Sequence, residues 1–223
     1  MKDSGVEWLG EIPVHWEVKP LKAVSALQTG LTLGKKYEFQ RLTTRPYLRV
    51  ANVQDGYIDI DDIAEVDLPD KDATRYELRQ YDVLMTEGGD FDKLGRGHLW
   101  EGQIGGCLHQ NHIFAVRPRR EALHPRYLAL SMNSAYGRAY FTATSKQSTN
   151  LASTNSTKLR NFPMPIPKPN EQGEIVTSLD RATARIDALI AEVRDVINRL
   201  KELRAALISA AVIGRIDVRE EVA

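Results

Sequence analysis

From residue 171 to residue 213 the chain has no proline and a single glycine, Gly173, and its apolar residues step by alternating threes and fours. They are Ile175, Leu179, Ala182, Ile186, Leu189, Val193, Val196, Leu200, Leu203, Leu207 and Ala210. This is an a/d heptad stripe about five heptads long, and charges of both signs cover the other faces. The spacing predicts one helix over 171–213, stopped by Gly214. About 43 residues at 1.5 Å each make a rod about 65 Å long. A domain built from the roughly 170 preceding residues is only about 40 Å across. The helix therefore cannot bury its whole stripe on its own domain, and a bare stripe of that length is a large apolar strip. A second copy of the chain is the expected cover. Ala182 and Ala210 on the seam let two backbones approach closely, which suits an antiparallel partner.

The chain divides just before this helix, at Phe162-Pro163-Met164-Pro165-Ile166-Pro167-Lys168-Pro169. Prolines at alternate positions exclude helix and favour an extended connector. The expected organisation is a domain over 1–168, a long helix over 169–214 and a tail over 215–223. The fold class is α+β: a mixed α/β domain followed by one long coiled-coil helix. Strands are expected at 47–53, 57–60, 82–86, 97–100 and 112–116, punctuated by glycine turns. A helix is expected from about Pro125 to Phe141, and the Ser/Thr/Asn-rich stretch 142–157 reads as a polar loop.

Thirty basic and thirty acidic residues cancel, but they are unevenly placed. Residues 55–72 hold eight acids against one base, Lys71, whereas residues 91–170 hold eleven bases against three acids. A neutral chain divided this way can still turn a basic face toward phosphates. The lone cysteine, Cys107, excludes an intrachain disulfide and a cysteine-based zinc cage, and reads as a small buried hydrophobe. The first residues lack the apolar run of a signal peptide, and no stretch reaches the roughly 18 apolar residues of a membrane span. A cytoplasmic location, away from membranes, is expected.

Catalytic constellations are missing. There is no Asn/Asp-Pro-Pro-aromatic turn of the kind an adenine or cytosine methyltransferase needs. Gly30-Leu31-Thr32-Leu33-Gly34-Lys35 is one residue short of a phosphate-binding loop and runs on into Lys36 rather than Ser or Thr. Asp70 with Glu77 would make a nuclease pair only if a lysine stood at Arg79. The five histidines show no metal-binding spacing. No enzyme activity, metal or cofactor is expected. On these grounds a DNA binder, a coiled-coil scaffold whose globular domain binds protein and, more remotely, a nuclease stay open.

Four stretches together resemble the HsdS family, the specificity subunits of type I restriction–modification enzymes. The first is Trp8-Leu9-Gly10-Glu11-Ile12-Pro13-Val14-His15-Trp16-Glu17-Val18. The second is Tyr47-Leu48-Arg49-Val50-Ala51-Asn52-Val53, with Asp82-Val83-Leu84-Met85 further on. The third is Ile166-Pro167 leading to Asn170-Glu171-Gln172 and Ile175-Val176. The fourth is the helix end from Ala206 through Gly214-Arg215-Ile216-Asp217. The resemblance implies sequence-specific reading of double-stranded DNA by the globular domain, which then directs separate modification (methyltransferase) subunits and, through them, a restriction subunit. A full-length family member has two reading domains and two long helices, where this chain has one of each. Two copies related by a two-fold axis would meet an inverted repeat with a spacer.

Base edges are read by Arg, Lys, Asn and Gln, and phosphates by bases and hydroxyls. The polar loops that offer such groups nominate Lys35 and Lys36; Lys93, Arg96 and His98; Gln110 and Asn111; and Lys146, Gln147, Ser148, Thr149 and Asn150. Trp8, Trp16 and Trp100 are expected to pack rather than stack on bases.

Overall fold

The computed structural model describes residues 1–35, 37, 40–90, 94–95, 97–147 and 151–216, with only the backbone at 90, 147 and 151. The chain forms two compact units, Met1–Val176 and Thr177–Ala223. The first is mixed α/β, and one long helix, Pro169–Val212, begins in it and supplies the second.

At the centre of the first unit is a four-stranded antiparallel sheet in the order Ser25–Thr29, Ile113–Pro118, Val83–Thr86, Gly97–Leu99. The strand Val83–Thr86 is buried along its whole length instead of alternating. Both faces of the sheet are covered, as near-continuous apolar runs require. Val83, Met85, Phe114 and Val116 face a core shared with Leu128, Phe141 and Phe162. Leu84, Ile113 and Ala115 face a second core around Leu48 and Trp100. A smaller sheet pairs Leu108–His109 in parallel with Thr43–Leu48, which pairs antiparallel with Ala64–Leu68.

Two expected strands do not form as drawn. The strand at 47 ends at Leu48, and Val50–Asn52 is a single 3₁₀ turn. Asn52, almost wholly buried, is the reason: its Oδ1 accepts from the Arg49 N–H, and its Nδ2 donates to the carbonyls of Asp59 and Asp62. Those bonds fold 57–60 back as a loop, with only an isolated bridge between Val53 and Ile58. Strands at Glu17–Pro20, Ser25–Thr29 and Ala64–Leu68 and the helix Asp70–Tyr76 are additions to the sequence reading.

The expected helix at 125–141 is two helices, Pro125–Asn133 and Ala135–Thr144. Ser134 breaks it, with extended backbone and a side chain that caps the second helix by accepting from the Gly137 N–H. The stretch read as a polar loop holds structure: strands Lys146–Gln147 and Leu151–Ser153, and the helix Ser156–Arg160 capped by Asn155. The proline connector is itself a strand, Pro163–Ile166, antiparallel to Glu17–Pro20.

The long helix begins on the globular unit. Gln172 is fully buried; its Oε1 accepts from the His124 N–H, and its Nε2 donates to the carbonyls of Ala122 and Pro167. Glu171 accepts from the Trp16 indole N–H at 2.9 Å and lies 3.0 Å from His15 Nε2. Val176 is buried and Ile175 packs half-buried on the larger core. The far end closes as expected: Gly214 takes a positive φ of 71°, and the N–H groups of Gly214 and Arg215 donate to the carbonyls of Ala211 and Ala210.

Candidate nucleic-acid interface

Strand order and direction bring the nominated segments to one end of the central sheet. Thr29 pairs with Phe114, Thr86 with Ile113, and Gly97 with Met85. The chain leaves at this end after Thr29 and after Thr86, re-enters the sheet there at Gly97, and enters through 110–112 before Ile113. A three-stranded sheet extends the same region: Gly88–Asp90 pairs with Leu151–Ser153, which pairs with Lys146–Gln147. Contributions from four separated parts of the sequence thus share one loop end. That is the usual way a rigid scaffold presents a binding surface.

Backbone contacts lock the loops side by side. Gly30 passes so close to the neighbouring chain that a Cβ there would lie 2.2 Å from the His109 carbonyl oxygen, so only glycine fits. Leu31 donates to the His109 carbonyl and accepts from the Asn111 N–H. Glu87 donates its N–H to the His112 carbonyl and accepts from the Thr154 N–H, which ties three loops together.

The side chains sort into structural and presented groups. Gln110 is half-buried and its Oε1 accepts from the Val50 N–H at 3.1 Å, so this amide holds the 3₁₀ turn. Lys35 is exposed and pairs with Asp72 at 3.1 Å. That contact raises the ammonium pKa and lowers that of the carboxyl. His98 is half-buried one residue into its strand, and burial first, then the Arg126 charge, lowers its pKa. Lys146 is exposed, and half-buried Asn111 has its side-chain amide beside the His112 ring. Lys36, Lys93, Arg96, Ser148, Thr149 and Asn150 lie outside the described residues, and of Gln147 only the backbone is described.

Two residues join the surface without having been nominated. Glu87 Oε2 lies 2.7 Å from His112 Nδ1, and Asn111 Nδ2 lies 3.4 Å from His112 Nε2. With the proton on Nδ1, the row runs Asn111 to His112 to Glu87 as donor to acceptor throughout. It offers amide, imidazole and carboxylate groups of the kinds that meet base edges. Glu87 stands directly before Gly88-Gly89, a pair that reads as a turn in the sequence and instead opens the strand Gly88–Asp90.

The residues that carry the family resemblance lie elsewhere. Asp82, fully buried at the opposite end of the sheet, receives both Arg117 Nε and an Arg117 terminal nitrogen at 2.7 Å, and the Arg79 N–H at 2.9 Å. Trp16, Asn52 and Gln172 likewise hold chain segments together. Among the described residues, no group of three or more His, Cys, Asp or Glu is placed to hold a metal, and no helix is long and apolar enough to cross a membrane.

Comparison with known proteins agrees with this architecture. The family model for the type I restriction modification DNA specificity domain matches residues 13–199. The putative type I restriction enzyme MjaX specificity subunit of Methanocaldococcus jannaschii is 26% identical over 196 residues, 87% of this chain and 45% of the relative. The StySPI specificity subunit of Salmonella potsdam is 26% identical over 92% of this chain and 44% of its own length. The chain therefore spans less than half the length of these relatives. In fold it is similar to the HsdS subunit from Thermoanaerobacter tengcongensis, with a TM-score of 0.59 at 19% identity over 91% of this chain and 46% of that one.

Proposed function

The chain belongs to the type I restriction modification DNA specificity domain family, and we propose that it is the DNA-reading, non-catalytic component of such a system. Its globular unit reads one half of a split target with the loop end of the central sheet. The residues assigned to contact are Asn111, His112, Glu87, Lys146 and Lys35, and Lys36, Lys93, Arg96 and 147–150 are proposed with them from the sequence alone. The observation that carries the reading is the convergence of these four segments on one end of a rigid sheet.

The helix pairs with that of a second copy. Its large seam side chains from Leu179 to Leu207 are between 41% and 58% exposed, more apolar surface than a lone helix keeps. Two identical chains joined through one symmetric contact share a two-fold axis. The target is then an inverted repeat: a few specified base pairs, a spacer and the reverse complement. Modification subunits, and through them a restriction subunit, act where the pair is bound.

Methylation mapping of the host genome with and without the gene tests this reading. An inverted repeat that loses its methylation on deletion is expected. A continuous asymmetric site breaks the symmetric-pair reading, and no change at all breaks the specificity reading. The scaffold alternative is separated by DNA titration: a reader binds with an affinity that falls steeply with salt, and a protein-binding scaffold does not.

A further inference from the structure

Natural sheets protect a free edge with charges, proline, a bulge or a cover, because unpaired N–H and C=O groups invite another strand. Two edges here contrast. Ala64–Leu68 ends its sheet and carries Glu65 and Asp67. Ser25–Thr29 ends the central sheet and carries neither charge nor proline: Ser25, Ala26, Leu27, Gln28, Thr29. Among the described residues no strand pairs with its outer side.

Two cavities, about 250 and 330 Å³, meet along this strand and share Ala26 and Leu27. They flank the edge strand along its length, one against Leu21, Val116 and Leu159 and the other against Gln28 and Arg117. Lys22 and Arg160 line the first, and Arg75 and Arg117 the second. Among the described residues, no carboxylate lines either cavity. Arg117 is paired with Asp82, and Lys22 donates to Asn161, but Arg75 and Arg160 are exposed and available to an incoming anion. Half-buried Leu27 gives the edge an apolar contact.

We propose that this edge is a docking site for an extended acidic segment of the modification subunit, which adds to the central sheet as a fifth strand. Backbone pairing along 25–29 supplies the affinity, and carboxylates reaching Arg75 and Arg160 fix the direction and register. The edge runs from Ser25, at the far end of the sheet, to Thr29 at the loop end, so most of it lies clear of the loops assigned to DNA. The proposal rests on the reading of the chain as a specificity subunit.

The test mixes the full chain with purified modification subunit and measures their affinity for the unmutated chain, for Arg75→Glu with Arg160→Glu, and for Arg75→Lys with Arg160→Lys. Charge reversal is expected to weaken the complex roughly tenfold or more, while the lysine pair stays within about threefold of the unmutated chain. Amide exchange at 25–29 should slow roughly tenfold or more in the complex. Full-strength binding after charge reversal, or unchanged exchange at 25–29, overturns the proposal and leaves the specificity reading standing. Weaker binding of DNA by the charge-reversed chain alone also overturns it, since the edge would then hold phosphate. Concentration-dependent protection of 25–29 in the chain alone would assign the edge to a second copy instead. If the unmutated chain forms no complex at all, the specificity reading falls first and the docking site with it.

Discussion

The globular unit and the long helix use similar apolar residues in opposite ways. In the first, Leu48, Leu84, Leu108 and Leu159 are fully buried. In the second, Val193, Leu200 and Leu203 are more than half exposed. A sheet covered on both faces closes its own core, so the first unit has what it needs to fold as a monomer. A helix has one stripe and no second layer, and most of its stabilisation must come from whatever packs on that stripe. The stripe is also broader than a two-stranded seam, because Ile190 and Ile197, one position beyond Leu189 and Val196, are exposed beside it. The difference divides the chain into a part that presents loops and a part built to be covered.

The largest effect should come from the helix. Replacing Val193 and Leu200 with Glu removes four apolar side chains from a symmetric pair, on the order of 6 kcal/mol, or about four orders of magnitude in dissociation constant. Sedimentation should show monomers at micromolar concentration, with the thermal unfolding of the globular unit unchanged. If the unmutated chain is itself monomeric there, the seam is covered by something other than a second copy.

Leu84→Ala is the converse. It opens a cavity between the sheet and the Trp100 core and should cost about 2–5 kcal/mol of stability in denaturant unfolding. Pairing of the helices should survive under conditions where the mutant stays folded. Loss of both together would mean that the two units fold as one.

The third effect is a pH dependence confined to the globular unit. His109 is fully buried, with Nδ1 2.9 Å from the Ile113 carbonyl oxygen, and burial lowers its pKa from 6.5 to about 4. Above pH 6.5 the ring is neutral whether the chain is folded or unfolded, and its contribution is fully present. As pH falls toward 4 the unfolded chain takes up a proton that the folded chain refuses, so stability drops by up to about 3 kcal/mol. Urea unfolding between pH 7 and 4.5 should show this slope, and His109→Gln should flatten it.

Gln172→Ala sharpens the boundary between the units. It removes the three side-chain bonds to the His124 N–H and the Ala122 and Pro167 carbonyls, a loss of about 2 kcal/mol. Exchange should speed at the start of the helix, over 169–176, and not beyond Leu179.

The smallest effect is expected on the loops. Lys146→Ala should weaken DNA binding by less than about 1 kcal/mol and reduce the salt slope by about one counterion, with no change in the preferred half-site. Asn111→Ala should change the half-site and leave the slope alone.

Much of this molecule could be read directly from its residues, for a physical reason. Helical periodicity is local: a stripe at threes and fours and a glycine stop need no distant contact to be recognised. The family likeness was also legible, because residues such as Trp16, Asn52, Asp82 and Gln172 stand in runs that can be compared position by position. What they do was not. Asn52 looked like part of a strand until its amide was seen to hold the carbonyls of Asp59 and Asp62. Gln172 looked like one more polar helix residue until three backbone groups were found on its side chain.

The loops divide in the same way. Composition nominated polar segments, and it could not say that those around Lys35, His98, Gln110 and Lys146 leave one end of the sheet. Their meeting depends on strand order, in which Thr29, Phe114, Met85 and Gly97 fall in one row across a sheet whose pairings span tens of residues. Nor could it separate Gln110, whose amide is committed to Val50, from Asn111 beside it, or find Glu87 through its contact with His112. The sequence by itself determined the long helix, its apolar seam and the family, because each is written in neighbouring residues. The loop end and the unguarded strand edge were decided only by tertiary structure, because each exists only where distant segments are brought together.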